Sequence, residues 1–216
     1  NTAVGYAGLR SNTTGAYNSS FGSEALRSNT TGGSNVAHGS YSLYSNTSGN
    51  YNVGVGVESL KSNTTGSQNV AIGDSALKSN TTGSYNTALG LDSLFSNTTG
   101  EANAAIGDAA LINSTTGDQN VALGGASLRS NTTGDYNNAI GVNSLYKNTS
   151  GSSNVALGNR AGYSNVTGSG NVFIGDDVGY YETGSNKLYI DNSSTSSPLI
   201  AGDFANNTIV VNSTVT

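Results

Sequence analysis

The sequence predicts an all-β protein, a β-solenoid (β-roll) of about eleven 17-residue coils followed by a small C-terminal β segment. A fixed internal period, a short unit and regularly placed small or aliphatic residues support this prediction. An Asn opens each unit, two residues ahead of a small residue and four ahead of a Gly, and successive opening Asn residues are always 17 apart. A constant period of this kind is typical of a repeat architecture.

The composition excludes a large globular core. The 216 residues include 30 Gly, one Pro and no Cys, Met or Trp, and only 10% are charged. Large apolar side chains are too sparse to offset the entropy of ordering a globular backbone. Disordered chains carry a high net charge and no apolar periodicity, whereas the net charge here is −5 and the period is strict. A solenoid needs few core residues in each coil, because every coil stacks on its neighbours.

We number the unit from 1 to 17; the copy that begins at Asn69 reads NVAIGDSALKSNTTGSY. Helical hairpin repeats need roughly 33 residues, so a unit this short favours a β-coil. We predict strands at positions 2–4 and 8–10, a turn at the Gly of position 5, and a return turn at positions 12–15 whose Gly has a positive φ. Alternation is expected to direct positions 2 and 4 towards Leu at position 9, across a thin core. Ala at position 3 would then form a smooth outer face that packs on another chain.

The period decays near the C-terminus, which divides the chain into a solenoid at 1–185 and a β-strand segment at 186–216. The segment contains short alternating apolar runs bounded by Asn, Ser and Pro198. We expect it to cap the solenoid or to add as a strand to the next subunit. The first unit is an ordinary repeat with an open edge, which predicts head-to-tail contacts and filaments. The alternative is that residue 1 is a cut within a longer rod.

The motif N-T-A-x-G followed by L-x-S-N-T-T-G, at Asn1–Gly15 and Asn86–Gly100, resembles repeats of bacterial and phage tail fibres and trimeric adhesins. The run Asn186–Phe204 is similar to segments that precede a self-cleaving intramolecular chaperone in phage fibres. The resemblance implies an extracellular fibre or adhesin at a cell or virion surface.

The return turn contains the sequon Asn-x-Ser/Thr in all ten complete units, and this predicts N-glycosylation along one edge of the rod. The alternative is a ladder of stacked Asn side chains. Substitutions to Ser48, Ser150 and Val166 keep the sequon, and so does the shift of one Asn to position 113. The predicted acceptors are Asn12, Asn29, Asn46, Asn63, Asn80, Asn97, Asn113, Asn131, Asn148 and Asn165.

The Asn that opens each unit is, in contrast, predicted to form a structural ladder. With one exception, no sequon follows it. The ladder residues are Asn35, Asn52, Asn69, Asn86, Asn103, Asn120, Asn137, Asn154 and Asn171.

We predict no catalytic residue, no metal ligand and no cofactor other than covalent glycans. His38 is the single His and is expected in the core, and the carboxylates near the C-terminal junction are expected to be solvated. Eight basic residues against 13 acidic ones give no footprint for nucleic acid. No apolar run approaches the ~18 residues of a membrane span.

These observations predict a non-enzymatic, self-assembling structural subunit of an extracellular fibre, in which copies of the chain join as a head-to-tail filament or a trimer. One alternative is the shaft of a receptor-binding tail fibre or adhesin that contacts cell-surface glycans. The other is a surface for ice or polysaccharide, made by the Thr columns at positions 13 and 14.

Overall fold

A computed structural model describes residues 1–212, which contain fourteen strands in a single sheet and no helix. The predicted fold class, a β-solenoid, is confirmed. The strands are β1 (Thr2–Val4), β2 (Ser19–Phe21), β3 (Val36–His38), β4 (Val53–Val55), β5 (Val70–Ile72), β6 (Thr87–Leu89), β7 (Ala104–Ile106), β8 (Val121–Leu123), β9 (Asn138–Ile140), β10 (Val155–Leu157), β11 (Val172–Ile174), β12 (Lys187–Ile190), β13 (Ile200–Asp203) and β14 (Thr208–Val211).

One register holds throughout the solenoid. From β1 to β11 each strand pairs in parallel with the next, so that Val53 lies opposite Val70. The pairing of β11 with β12 is also parallel but has an offset of 16, with Val172 opposite Leu188, because the last coil is one residue shorter. β12, β13 and β14 pair antiparallel. The segment predicted at 186–216 therefore extends the same sheet, and its residues 213–216 lie outside the described part.

The strand at positions 2–4 forms as predicted, but its predicted orientation is wrong. Ala71 at position 3 is fully buried and belongs to the same core cluster as Leu77 at position 9, while Ile72 at position 4 is 39% exposed. The coil is narrow, and the Leu column already occupies its interior. A small residue therefore faces inward, and the larger aliphatic residues at positions 2 and 4 face outward.

The predicted second strand at positions 8–10 is also wrong, because positions 6–11 form successive turns. Ser75 and Leu77, at positions 7 and 9, have left-handed φ values of 55° and 53°. A left-handed φ costs roughly 1 kcal/mol of backbone strain at each such residue. At position 9 this cost is offset by burial of the Leu side chain, which stabilises the fold by about 2 kcal/mol. The turns still bond coil to coil, as where Leu60 N donates to Ala76 O at 3.0 Å.

Two Gly columns allow the coils to approach closely. Gly73 at position 5 has φ +142°, and a Cβ there would lie 2.3 Å from Gly90 O in the next coil. Gly66 at position 15 does not have the predicted positive φ. Its Cβ would instead lie 2.3 Å from Gly83 O and 2.4 Å from Asn63 Oδ1. Position 15 therefore requires Gly because of space, and position 5 because of both φ and space.

The core changes composition at its C-terminal end. Phe173 replaces Ala at position 3, and Gly162 and Gly179 replace Leu at position 9. A Cβ on either Gly would lie 2.5 Å from the Phe173 ring. Leu adopts the same left-handed φ at position 9 of the earlier coils, so the backbone does not require Gly at this position. The two Gly residues instead make room for the Phe173 ring. Tyr189 of β12 packs beyond Phe173, with 6.0 Å between ring centroids.

Gly73→Ala is expected to lower the free energy of unfolding by about 2–4 kcal/mol, because the methyl group meets backbone at a φ that only Gly tolerates. Gly125→Ala is the matched control, since a Cβ there has no neighbour closer than 4.0 Å. Thermal unfolding followed by circular dichroism compares the two variants. Equal melting temperatures would contradict the close approach of the coils at position 5.

Gly179→Leu is expected to destabilise the last coils, because its side chain clashes with the Phe173 ring. Phe173→Ala is expected to lower the free energy of unfolding by about 3–5 kcal/mol, because it leaves a cavity. The triple variant with Phe173→Ala, Gly162→Leu and Gly179→Leu restores the pattern of the other coils and should recover most of the loss. If the losses in free energy of unfolding were strictly additive in the triple variant, the Phe173 ring would not be filling the space that Leu side chains fill in the other coils.

Candidate functional surfaces

The opening Asn residues lie in a continuous buried ladder. Asn52 Oδ1 accepts hydrogen bonds from Asn69 N at 3.0 Å and Asn69 Nδ2 at 3.1 Å. Asn52 Nδ2 donates to Gly66 O, at the end of its own coil, at 2.9 Å. The same pattern runs through the solenoid with fully buried side chains from Asn35 to Asn171. One side chain thus fixes the stacking of two coils and the closure of one.

The Asn residues of the return turn form a second ladder, next to the first. Asn63 Nδ2 donates to Asn46 Oδ1 at 2.8 Å and to Gly66 O at 3.0 Å, the carbonyl that Asn52 also contacts. Both Nδ2 hydrogens are therefore used. Eight of the ten predicted glycosylation sites are fully buried: Asn29, Asn46, Asn63, Asn80, Asn97, Asn131, Asn148 and Asn165.

This placement bears directly on the glycosylation prediction. A glycan replaces one Nδ2 hydrogen and needs open space beside the nitrogen. Six of the eight buried sites use both Nδ2 hydrogens, and full burial denies a glycan open space at all eight. Asn12 is half-buried, and only Asn113 is exposed. The geometry thus favours the ladder at the buried positions and leaves Asn113 as the exposed member of the ten return-turn sequons.

The second ladder is interrupted where that Asn has moved. Ser114 occupies position 12 of its coil and is fully buried, with its backbone in the same turn, since Ser114 N donates to Leu111 O at 3.0 Å. Its side chain is too short to reach Asn97. Asn97 Oδ1 and Ser114 Oγ are both buried without a hydrogen-bond partner. A buried, unsatisfied polar group costs about 1–3 kcal/mol.

Ser114→Asn is expected to rebuild the missing rung and to raise the free energy of unfolding by about 1–2 kcal/mol. Asn80→Ser, which makes the same break in an intact part of the ladder, should lower it by a similar amount. Denaturant titration followed by circular dichroism measures both. A Ser114→Asn protein that is no more stable than the parent would contradict the side-chain ladder at position 12.

The two Thr columns differ in what they offer to a ligand. Thr64 at position 13 donates its hydroxyl to Thr81 O at 3.0 Å, and this bond recurs from coil to coil. Thr65 at position 14 is exposed. In the array predicted for ice or polysaccharide, the hydroxyls of position 14 therefore face outward. Those of position 13 already donate their hydrogen to the backbone of the next coil.

The outer face of the sheet presents mostly aliphatic side chains, and we call positions 2 and 4 of β1–β11 the apolar strip. Polar or aromatic residues interrupt it at Thr2, Ser19, Thr87 and Asn138 of position 2 and at Phe21 and His38 of position 4. Leu89 is 44% exposed, Ile106 37% and Leu123 42%, on three consecutive strands. No Lys, Arg, Asp or Glu occupies any position of the strip. His38 lies here, exposed and edge-on to Phe21 with ring centroids 4.8 Å apart, instead of in the core as predicted.

Positions 6, 7, 10 and 11 form a charged and aromatic face. Seven of the eight Lys and Arg residues lie here, and the acidic residues of positions 6 and 7 balance them. Lys78 pairs with Glu58 at 2.6 Å and lies over the Phe95 ring, with Nζ 5.3 Å from its centroid. The column ends in three stacked rings, Tyr146, Tyr163 and Tyr180, with centroid spacings of 5.0 and 4.8 Å. Because seven acidic residues balance the seven basic ones, this face is not a basic stripe.

The C-terminal carboxylates, expected to be solvated, have separate partners. Asp177 pairs with Arg160 at 2.6 Å, and Asp203 with Lys187 at 2.9 Å. Glu182 accepts hydrogen bonds from the Tyr189 hydroxyl at 2.6 Å and from Gly184 N at 2.7 Å. Within residues 1–212, no three His, Cys, Asp or Glu side chains are grouped closely enough to hold a metal ion.

The Tyr189–Glu182 contact shifts both groups. Burial and the carboxylate beside it raise the pKa of Tyr189 to about 12. Burial acts to raise the pKa of Glu182, but the hydrogen bonds from Tyr189, Gly184 and Thr183 outweigh it and hold that pKa below its usual 4.5. A depressed carboxyl pKa stabilises the folded state above pH ~4.5, and this contribution is lost as the pH falls through the lower folded-state pKa.

Amide exchange at Thr183 and Gly184 is therefore expected to lose protection as the pH falls below about 4.5, beyond the intrinsic pH dependence of exchange. Glu182→Gln removes the titrating group and should abolish this extra dependence. Hydrogen exchange measured by NMR against pH compares the two proteins. The same loss of protection in Glu182→Gln would contradict the role of this carboxylate.

Comparisons of the chain with protein-family models, curated proteins and solved structures find no match. The resemblance to fibre and adhesin repeats thus stays a prediction from the sequence. The described residues include no helix long and apolar enough to cross a membrane.

Proposed function

We propose that the chain is a non-enzymatic structural subunit of an extracellular fibre at a cell or virion surface, and that copies of it associate side by side through the apolar strip. The single observation that carries this proposal is the exposure of a large aliphatic side chain at position 4 of seven consecutive strands, β5–β11. Monomeric proteins rarely expose a contiguous apolar patch larger than a few hundred Å².

The size of the strip supports a protein–protein contact. At about 4.8 Å per rung, eleven rungs extend roughly 50 Å. A large aliphatic side chain that is about two-fifths exposed leaves roughly 50–80 Å² in water, so position 4 together with the partly covered position 2 exposes on the order of 800 Å². A standard interface buries about that much surface on each partner.

A second copy of the chain is the occupant that fits this strip. Two parallel copies have the same spacing between rungs, so every ridge of position 4 meets an equivalent site along the whole length. The strip has no fixed charge, and therefore no like-charge repulsion opposes its self-association. Phe21 and His38 interrupt the aliphatic column near one end and provide a feature that sets the register between copies.

Such a bundle, of which a trimer is the form that the resemblance implies, makes a shaft whose length is set by the number of coils. The charged and aromatic face, the exposed Thr row and Asn113 remain on its outside. We restrict the glycosylation proposal to Asn113, the exposed member of the predicted acceptors.

Leu89→Asp combined with Leu123→Asp places two carboxylates in the middle of the strip, and burying them uncompensated should dissociate the bundle. Thr99→Asp with Thr133→Asp is the matched control, because it adds the same charge in the same coils at exposed positions. Sedimentation equilibrium is expected to show an oligomer for the parent and the control, and a monomer for the strip variant. A monomeric parent, or a strip variant that associates as strongly as the parent, would refute the proposal.

A further inference from the structure

The C-terminal end of the rod contains two adjoining clefts that interrupt the regular surface. One, of about 210 Å³, lies between the last coil and the loop after β12 and is lined by Gly179, Tyr180, Tyr181, Glu182, Tyr189, Ser194, Thr195 and Ser196. The other, of about 230 Å³, is lined by Arg160, Asp177, Tyr180, Tyr181 and Ser194. We call them the C-terminal clefts; they share Tyr180, Tyr181 and Ser194.

We propose that the C-terminal clefts bind a saccharide, with a neutral pyranose ring as the recognised unit. The column of stacked rings ends at the clefts. Tyr180 stacks on Tyr163 with an interplanar angle of 0° and lines both clefts, and no further ring continues the stack. Tyr181 meets Tyr180 edge to face at 68° and is 74% exposed. Aromatic surface is thus available where the next rung would lie.

The polar lining suits a polyol. Ser194, Thr195 and Ser196 add three consecutive hydroxyl-bearing residues to the wall of the first cleft. A hydroxyl both donates and accepts, so such a wall pairs with the alternating hydroxyls of a sugar. Ligand sites generally combine apolar and aromatic lining with a few polar groups, and the first cleft has this combination.

The charges of the lining exclude an anion and favour a neutral ligand. Arg160 is paired with Asp177 at 2.6 Å, which leaves no unpaired cation. Glu182 adds a carboxylate held in the charged form by Tyr189 and two backbone amides. A phosphate, a sulfate or an acidic sugar would meet net negative charge. A neutral pyranose can donate hydroxyl hydrogen bonds to acceptors of the wall without this repulsion.

The size of the clefts sets the number of rings. Each is smaller than the ~300 Å³ at which pockets for drug-sized ligands begin, so each holds one ring and the pair holds a disaccharide. About twelve non-hydrogen atoms at the efficiency of ordinary small ligands correspond to a Kd on the order of 1–10 mM for a single ring. Several copies side by side, as in the proposed bundle, would raise the avidity, but the site itself does not depend on the bundle.

Saturation-transfer difference NMR on the full chain tests the proposal, with the methyl pyranosides of glucose, galactose, mannose and N-acetylglucosamine as probes and phenol as a planar aromatic competitor. At least one pyranoside is expected to show saturation of its ring protons with a millimolar Kd. Tyr181→Ala should weaken this binding at least tenfold. Tyr136→Ala, which removes an exposed Tyr from a regular coil, should leave it unchanged.

A second variant, Ser194→Trp, replaces a residue outside the solenoid coils, fills both clefts and should abolish binding even if Tyr181→Ala folds poorly. Circular dichroism checks that each variant retains the β-solenoid. The proposal is overturned if none of the pyranosides binds, if phenol alone binds, or if Tyr181→Ala and Ser194→Trp bind as well as Tyr136→Ala. Loss of self-association in the strip variant without loss of pyranoside binding would separate this site from the proposed assembly.

Discussion

The structure depends on one interaction, the hydrogen bonding of buried Asn side chains from coil to coil. An Asn amide has donors and an acceptor on a short stem, so a column of Asn residues at one spacing satisfies itself. Two such columns converge on the Gly carbonyl that ends each coil, as Asn52 and Asn63 do on Gly66. A core of Ala, Ser and Leu alone would be too thin to hold the coil closed, and the ladders supply the specificity that apolar volume does not.

The ladders impose the remaining constraints on the coil. Side-chain amides bond over a fixed distance only if adjacent coils keep the spacing of adjacent strands, and at that spacing a Cβ at position 5 or 15 would meet backbone. The outer face then follows from the narrow interior: with Ala and Leu inside, the larger aliphatic side chains of the strands have only the outside to occupy. The apolar strip, through which we propose that copies associate, is thus a consequence of the small core.

The sequence predicts the period, the coil and the first strand, because each leaves a signal at a fixed spacing. It does not predict which face of the strand is buried, since a strand such as Val70–Ile72 alternates equally well in either phase. The turns at positions 7 and 9 escape prediction because ordinary residues such as Ser75 and Leu77 adopt a left-handed φ there. At Ser114 the sequence and the structure emphasise different features: the shifted Asn113 keeps the sequon, and the structure accommodates a broken rung at Ser114. The clefts at the C-terminus arise from the end of the repeat, where no periodic argument applies.

The central claim, that coils of 17 residues are locked in register by the two Asn ladders, is tested most directly by excision of one unit. Removal of residues 69–85 joins two coils in the same register, and removal of residues 69–84 displaces every later Asn by one position. We expect the first deletion protein to keep native amide-exchange protection and a melting temperature close to that of the parent. We expect the second to lose protection on both sides of the junction. Equal protection in the two deletion proteins would contradict the central claim.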